Sequence, residues 1–303
     1  MRNEELGMKK FQMPLYFLAA VFFALAAFPG CSSAPKKPAE IFTDRIMAAN
    51  QLNLANQTMT QGRYEDALLI LEEARRLAVS CDDPQLRIRT SISRGNILFA
   101  LGRETEAFGE WGSAAAEGDS AGEGVLAALA RIYSIRAELV LLSSGAGTAV
   151  QTAEELKTRL SREMAIVKSD PLAAAAGYVS LGLAEKHLGR WAEAESALRN
   201  AIGIHDKNSC LEDAAYDWYL IASVRSVAGN YNSALDALWA AVVFDRRAEN
   251  GFGLASSWQA MGEVYQKAGR IQESGNAYRR AAEIYRAVGL VEKAENLEKS
   301  TGE

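Results

Sequence analysis

The side chains best suited to catalysis or metal binding are scarce in this sequence. Its 303 residues include two histidines, His187 and His205, and three cysteines. No cysteine or acidic pair accompanies either histidine at the spacing that a metal site requires, so both are predicted to be ordinary, partly exposed helix residues. The adjacent acids of the chain fall on predicted solvent faces, where they do not indicate an acid–base dyad. The sequence therefore predicts a protein that is not an enzyme and needs no metal ion or cofactor.

The first cysteine, Cys31, has a distinctive context. A basic tripeptide at 8–10 precedes an apolar run from Pro14 to Phe28, which is short for a membrane span and typical of a signal peptide. The order of basic segment, apolar segment, small residue and Cys resembles a bacterial lipoprotein signal. This resemblance implies that Cys31 is lipidated, and Ser32 after it is similar to the pattern of outer-membrane lipoproteins. A plain secretory signal and an uncleaved membrane anchor are the alternatives.

These features divide the chain into three predicted parts. Residues 1–30 are the signal peptide, and translation starts at Met8, which is favoured, or at Met1. Residues 31–40 are the lipidated Cys and a polar, proline-containing tether. Residues 41–303 are the folded body. The expected location is the bacterial cell envelope, with attachment to the outer membrane facing the periplasm favoured over the inner membrane or the cell surface.

The composition of the body favours helices. Four of the six prolines lie before residue 40, and only Pro84 and Pro171 follow. A long stretch with so little proline favours helix, because proline inside a helix removes a hydrogen bond and interrupts it. The formal net charge of −5 offers no basic surface for nucleic acid, so no nucleic-acid partner is expected.

Five short segments centred on a glycine recur along the body. The glycines are Gly62, Gly102, Gly189, Gly229 and Gly269, and three of the intervals between neighbours are 40 residues. A small residue stands seven positions before each glycine, a large residue nine positions after it, and an alanine twelve positions after it. Positions spaced by three, four and seven share one face of a helix, so each unit reads as two helices joined by a glycine turn. The small residues then allow close approach and the large ones fill the remaining space.

These landmarks resemble the tetratricopeptide repeat, a helical hairpin of 34 residues in its usual form. The resemblance implies an all-α fold: a right-handed superhelix of about six hairpins with a C-terminal capping helix near Leu290 to Glu298. The hairpin between Gly102 and Gly189 has lost the landmarks but retains helical patterns. Asp83-Pro84 and Asp170-Pro171 are predicted to open two first helices as N-cap and N1.

The resemblance also suggests which residues face the concave groove. Asn56 and Asn96, six positions before their turn glycines, are predicted to grip a peptide backbone through their amides. Position matching adds further groove candidates: Arg89, His187, Tyr219, Gln259 and Glu263. The alternative role of both Asn side chains is to hydrogen-bond neighbouring helices.

Two other expectations concern cysteines and tryptophans. Cys81 and Cys210 follow the second helices of units far apart in the stack, so they are not expected to form a disulfide. Four tryptophans lie on or beside the hairpin landmarks and are expected in the core, namely Trp111, Trp191, Trp218 and Trp258. Trp239 is off the pattern and is expected to be exposed.

Two functions are compatible with these features. The first is a lipid-anchored envelope scaffold or adaptor that binds a protein or peptide in the groove of the superhelix. The second is an accessory small-molecule-binding lipoprotein of a solute transporter, because the apolar helix of the degenerate hairpin is suited to lining a cavity. An apolar cavity would favour the second function, and an amide-rich groove would favour the first.

Overall fold

The computed structural model describes residues 43–142 and 149–301, which form thirteen α-helices and no strand. The signal peptide, Cys31 and tether predicted at residues 1–40 lie outside the described residues. The helices are α1 (Thr43–Thr60), α2 (Tyr64–Ser80), α3 (Pro84–Ala100), α4 (Glu104–Ala121), α5 (Gly124–Leu141), α6 (Ala149–Val167), α7 (Pro171–His187), α8 (Trp191–Lys207), α9 (Leu211–Val227), α10 (Tyr231–Arg247), α11 (Gly251–Lys267), α12 (Ile271–Ala287) and α13 (Val291–Thr301). None of these helices has both the length and the apolar character of a membrane span.

The helices pair in chain order into six hairpins, followed by α13 as a cap, as predicted. The turn glycines have a left-handed backbone, and Gly102 shows what that conformation allows. With φ at 74°, the chain reverses sharply enough for the amide of Arg103 to donate to the carbonyl of Leu98 at 2.9 Å. This bond satisfies a carbonyl at the end of α3 and lets α4 start two residues after the glycine.

The small and large landmarks meet directly in three of the hairpins. A Cβ placed on Gly95 would lie 2.5 Å from the Trp111 ring. The equivalent distances are 2.7 Å from Gly182 to Leu198 and 2.6 Å from Gly262 to Tyr278. The bare backbone of the first helix is therefore covered directly by a large side chain from the second, and no room is left for a methyl group.

Two proline-containing helices begin as predicted. The side chain of Asp83 accepts a hydrogen bond from the amide of Leu86 at 3.0 Å, and that of Asp170 accepts one from Ala173 at 3.0 Å. Each cap satisfies an amide that the first turn leaves without a partner. Cys81 and Cys210 are both free thiols, which confirms that they do not form a disulfide.

The tryptophan expectations are confirmed with one exception. Trp111 is buried, Trp218 and Trp258 are partly buried, and Trp239 is 42% exposed. Trp191 was expected in the core but is 36% exposed. It is the first residue of α8, where the side chain lies beside the turn rather than between the two helices of the hairpin.

The six hairpins curve until the first and the last touch. The Tyr64 ring at the start of α2 lies edge-on to the Phe252 ring at the start of α11, with 6.3 Å between the ring centroids. The turn at Gly62 also lies against Phe252 and against Leu290, the residue before α13. We call this the closing contact, because it joins the two ends of the solenoid.

Candidate ligand cavity

The closing contact borders a partly open cavity of about 490 Å³ inside the curve of the solenoid. The volume lies within the range of about 300–1,000 Å³ typical of ligand sites. Its walls come mainly from the first helices of four hairpins, α3, α5, α9 and α11, which place their inner faces on the concave side. We call this space the ligand cavity.

Aromatic rings form much of the wall of the ligand cavity. They are Tyr64, Phe99, Trp111, Tyr133, Tyr216, Tyr219 and Phe252. Trp111 is held in place by Phe99, whose ring centroid lies 5.9 Å away, and by a hydrogen bond from its Nε1 to Asn96 Oδ1 at 3.2 Å. A ring fixed by packing and by a hydrogen bond gives a rigid wall that needs little ordering when a ligand binds.

Tyr216 is the aromatic residue that the cavity exposes most clearly. It is 46% exposed, and its ring stacks on Tyr219 with 6.2 Å between the centroids. Burial nevertheless raises the pKa of the Tyr216 phenol, because protein surrounds the side chain. A ring that is both accessible and surrounded by protein is available to a ligand inside the cavity.

The positive charge in the wall belongs to Arg136 on α5. Its Nη2 donates to the carbonyl of Ala176 at 2.8 Å and its Nε donates to Ser180 Oγ at 3.2 Å, both on α7. Its guanidinium also lies over the Tyr133 ring, 4.9 Å from the centroid. Arg136 thus fixes α5 to α7 through two of its five N–H donors.

Three carboxyl groups face the same space. Glu212 and Asp213 lie in the first turn of α9, and Asp245 lies near the end of α10. Asp245 is 2% exposed, and burial raises its pKa to about 7 despite hydrogen bonds from Asn250, at 2.9 Å, and Ser257. Gly253 on α11 makes this burial possible, because the Asp245 carboxylate occupies the space where a side chain at 253 would lie.

The predicted groove residues divide into two groups. Asn96 and Tyr219 line the ligand cavity. The others do not line it: Asn56, Arg89, His187, Gln259 and Glu263. Gln259 accepts a hydrogen bond from Tyr285 at 3.2 Å, and Glu263 lines a smaller cavity of about 70 Å³ beyond Tyr219.

Sequence reasoning missed the acidic part of the cavity and one buried pair. His205 was expected to be partly exposed, but it is buried, and its Nδ1 lies 2.7 Å from Asp217 Oδ2. Burial alone would lower the pKa of His205, yet the hydrogen bond and charge of Asp217 outweigh it and raise the value. Asp217 lies on the next hairpin, twelve positions along the chain, so the residues that neighbour His205 in sequence do not indicate the pair. In the part of the chain that the structure describes, no three His, Cys, Asp or Glu side chains are grouped as a metal site.

Comparison with known proteins agrees with the hairpin architecture. Residues 255–288 match the family model for the tetratricopeptide repeat. The structure is similar to that of a STAND-class signal transduction ATPase with a tetratricopeptide repeat sensor from Pyrococcus horikoshii, with a TM-score of 0.54 and 13% identity, over 86% of this chain and 43% of that one. It is also similar to a Rap protein complexed with Competence and Sporulation Factor, with a TM-score of 0.55 and 14% identity, over 86% of this chain and 77% of that one.

These likenesses establish the fold. The chain has the fold of a tetratricopeptide-repeat-like solenoid, and the family model matches the hairpin of α11 and α12. It spans less than half the length of the STAND protein. No curated protein sequence matches it.

Proposed function

We propose that this protein is an adaptor that binds a peptide segment in the ligand cavity. The observation that carries the proposal is the border of amide and carboxyl side chains, including Asn96 and Asn250, around a partly open space of about 490 Å³ with aromatic walls. Apolar walls with a few directed polar groups are the usual composition of a ligand site. The Rap protein of similar fold was solved with a bound factor, which supports the use of such a solenoid for ligand binding.

Photo-crosslinking from inside the cavity tests peptide binding. p-Benzoylphenylalanine replaces Tyr216 in one variant of the full-length protein and Trp239 in another. Both side chains are similarly exposed, at 46% and 42%, but Trp239 does not line the cavity. With a pool of random nonapeptides, we expect crosslinked peptide at 216 and little at 239. Equal labelling at both positions would contradict binding in the cavity.

We further propose that lipid on Cys31 holds the solenoid at a bacterial membrane, with the outer membrane favoured and the binding body in the periplasm. The support is the order of the basic, apolar and small residues before Cys31 and the polar tether at 32–40. In cells fed a fatty-acid analogue, wild-type protein should take up label and Cys31→Ala should not. Equal label in the two proteins would contradict lipidation.

The volume of the cavity also favours a second candidate, an accessory small-molecule-binding lipoprotein of a solute transporter. A space of about 490 Å³ suits a small organic molecule as well as a short segment of peptide. Native mass spectrometry of protein purified from its own envelope distinguishes the two. A retained small molecule that is displaced in a Tyr216→Ala variant supports the transporter function, and a retained peptide supports the adaptor.

A further inference from the structure

The charges around the ligand cavity are unbalanced. Its lining contains the carboxyl groups of Glu212, Asp213 and Asp245, and Arg136 is the sole basic residue among the described residues that line it. Within the described residues, the side chains of Glu212 and Asp213 form no ion pair or hydrogen bond with another side chain. Two carboxylates and a single guanidinium at a partly open space leave a net negative charge there.

Arg136 offsets part of this negative charge, because its guanidinium stays fully charged, but it is one cation beside the carboxylates of Glu212 and Asp213. Its guanidinium donates to Ala176 O and Ser180 Oγ and lies over the Tyr133 ring. A ligand carboxylate that reached the other N–H groups of Arg136 would also approach Glu212 and Asp213. The lining therefore disfavours an acidic ligand.

The aromatic wall favours a ligand with a positively charged group. Tyr216 lies three residues from Asp213 on α9, stacks on Tyr219 and keeps 46% of its surface accessible. The electron-rich face of a tyrosine ring attracts an ammonium or guanidinium group, and the attraction is stronger where water is largely excluded. An exposed ring beside two carboxylates is thus suited to a long, basic side chain with an apolar stem.

We infer that the ligand cavity selects a peptide through a basic side chain, arginine or lysine, which lies against Tyr216 and pairs with Glu212 and Asp213. The inference rests on the proposed peptide binding and adds the class of peptide. The length of such a side chain allows its stem to contact the aromatic wall while the charged end reaches the first turn of α9. Free polyamines and uncharged peptides are the competing occupants.

Matched peptide pools test the selection directly. Fluorescent nonapeptides with blocked ends and uncharged flanking residues carry Arg, Lys, citrulline or Glu at the centre. Citrulline matches the shape of arginine without its charge. With the full-length lipidated protein in detergent, fluorescence anisotropy should give Kd values at least about tenfold lower for the Arg and Lys pools than for the citrulline pool, with the Glu pool weakest. The preference should weaken as salt rises.

A pair of double variants separates local from general charge effects. Glu212→Gln with Asp213→Asn removes the two carboxylates while keeping the side-chain shape, and should reduce the preference for Arg over citrulline to about twofold or less. Glu65→Gln with Asp66→Asn is the control. It changes the same two residue types in the first turn of α2, where both are exposed and neither lines the cavity. The control should keep the wild-type preference, and circular dichroism should show equal helicity in all three proteins.

The outcomes that overturn the inference are distinct. Equal binding of the Arg and citrulline pools contradicts charge selection but leaves peptide binding intact. Absence of binding by every pool contradicts both this inference and the proposed function. Equal loss of preference in the control variant assigns the effect to general surface charge. Binding of spermidine without any of the peptides assigns the site to a free polyamine.

Discussion

The rings of Tyr64 and Phe252 meet edge-on at 6.3 Å, with an angle of 83° between their planes. Tyr64 opens α2 in the first hairpin and Phe252 lies at the start of α11 in the sixth, so this contact joins the two ends of the curve. The ammonium group of Lys293, on the capping helix, lies 5.4 Å from the centre of the Phe252 ring. The closing contact thus brings together the first hairpin, the last hairpin and the cap, and two of its rings also line the ligand cavity.

Removing the Phe252 ring should open the solenoid. We expect Phe252→Ala to increase the radius of gyration measured by small-angle X-ray scattering. It should also lower the free energy of unfolding by about 1–3 kcal/mol, below the range for a fully buried Phe because this ring is partly exposed.

Trp239→Ala is the matched control for this change. Trp239 forms an edge-on pair with Trp258, with 5.2 Å between the centroids, but takes no part in the closing contact. Loss of the Trp239 ring should lower the free energy of unfolding without changing the radius of gyration. An unchanged radius in Phe252→Ala would show that other contacts maintain the curvature.

Because Gly95 lies so close to Trp111, replacing this glycine should lower the stability of the fold. In Gly95→Ala the new methyl group would lie 2.5 Å from the Trp111 ring, which is buried and lines the ligand cavity. We expect a loss of about 1–3 kcal/mol in urea unfolding, as is usual for an overpacked core. The tryptophan emission should shift as the ring moves.

Gly109 on α4 provides the contrast, since a Cβ there meets no atom within 4 Å. Gly109→Ala should stabilise the protein by about 0.5–1 kcal/mol, because alanine loses less backbone freedom than glycine when a helix forms. Equal loss of stability in both variants would contradict the close contact between Gly95 and Trp111.

The hairpins were predictable from sequence because their determinants are local. The glycine of each turn, the small residue before it and the large residue after it lie within one unit, and helix geometry converts their spacing into contact. Gly182 and Leu198 illustrate this, since sixteen positions along the sequence become a direct contact in space. Even the degenerate hairpin, which lost the landmarks, kept enough helical pattern to predict two helices there, and the structure has α5 and α6 in that interval.

The closing contact and the acids of the cavity were not predictable in the same way. Whether Tyr64 reaches Phe252 depends on small rotations accumulated over six hairpins, and no single repeat encodes that sum. Asp245 gives no sequence signal, because its burial depends on Gly253 of the next helix leaving room for a carboxylate. Of the groove candidates, Asn96 and Tyr219 line the cavity, and the roles of the whole set stay predictions.

The buried pair of His205 and Asp217 should be visible by NMR, because the chain has only two histidines. The bond to Asp217 raises the pKa of His205 above its ordinary value despite burial, whereas burial lowers the pKa of His187. In Asp217→Asn the charge that opposes burial is lost, so we expect the pKa of His205 to fall below about 6.5. The titration of His187 should stay unchanged and is the internal control. A His205 titration that does not move would contradict the assigned pair.

The last prediction concerns the pH dependence of stability at Asp245. Burial raises the pKa of its carboxyl group to about 7, whereas an unfolded Asp loses its proton near pH 4. Between these values the folded state holds a proton that the unfolded state has released, so this group makes stability fall as the pH rises from about 4 to about 7. Asp245→Asn cannot ionise and avoids that loss. At 1.36 kcal/mol per pH unit, the variant should gain up to about 4 kcal/mol relative to wild type at pH 8.

At pH 4 this advantage should disappear, because wild-type Asp245 is then neutral and keeps its contacts with Asn250 and Ser257. Urea unfolding at pH 4, 6 and 8 measures the crossover. Asp236→Asn on the same helix is the control, since Asp236 is exposed and its replacement should leave the pH profile parallel to that of wild type. A difference between Asp245→Asn and wild type that is constant across pH would mean that the carboxyl group ionises equally in the folded and unfolded states. The burial of Asp245 against Gly253 would then have no electrostatic consequence.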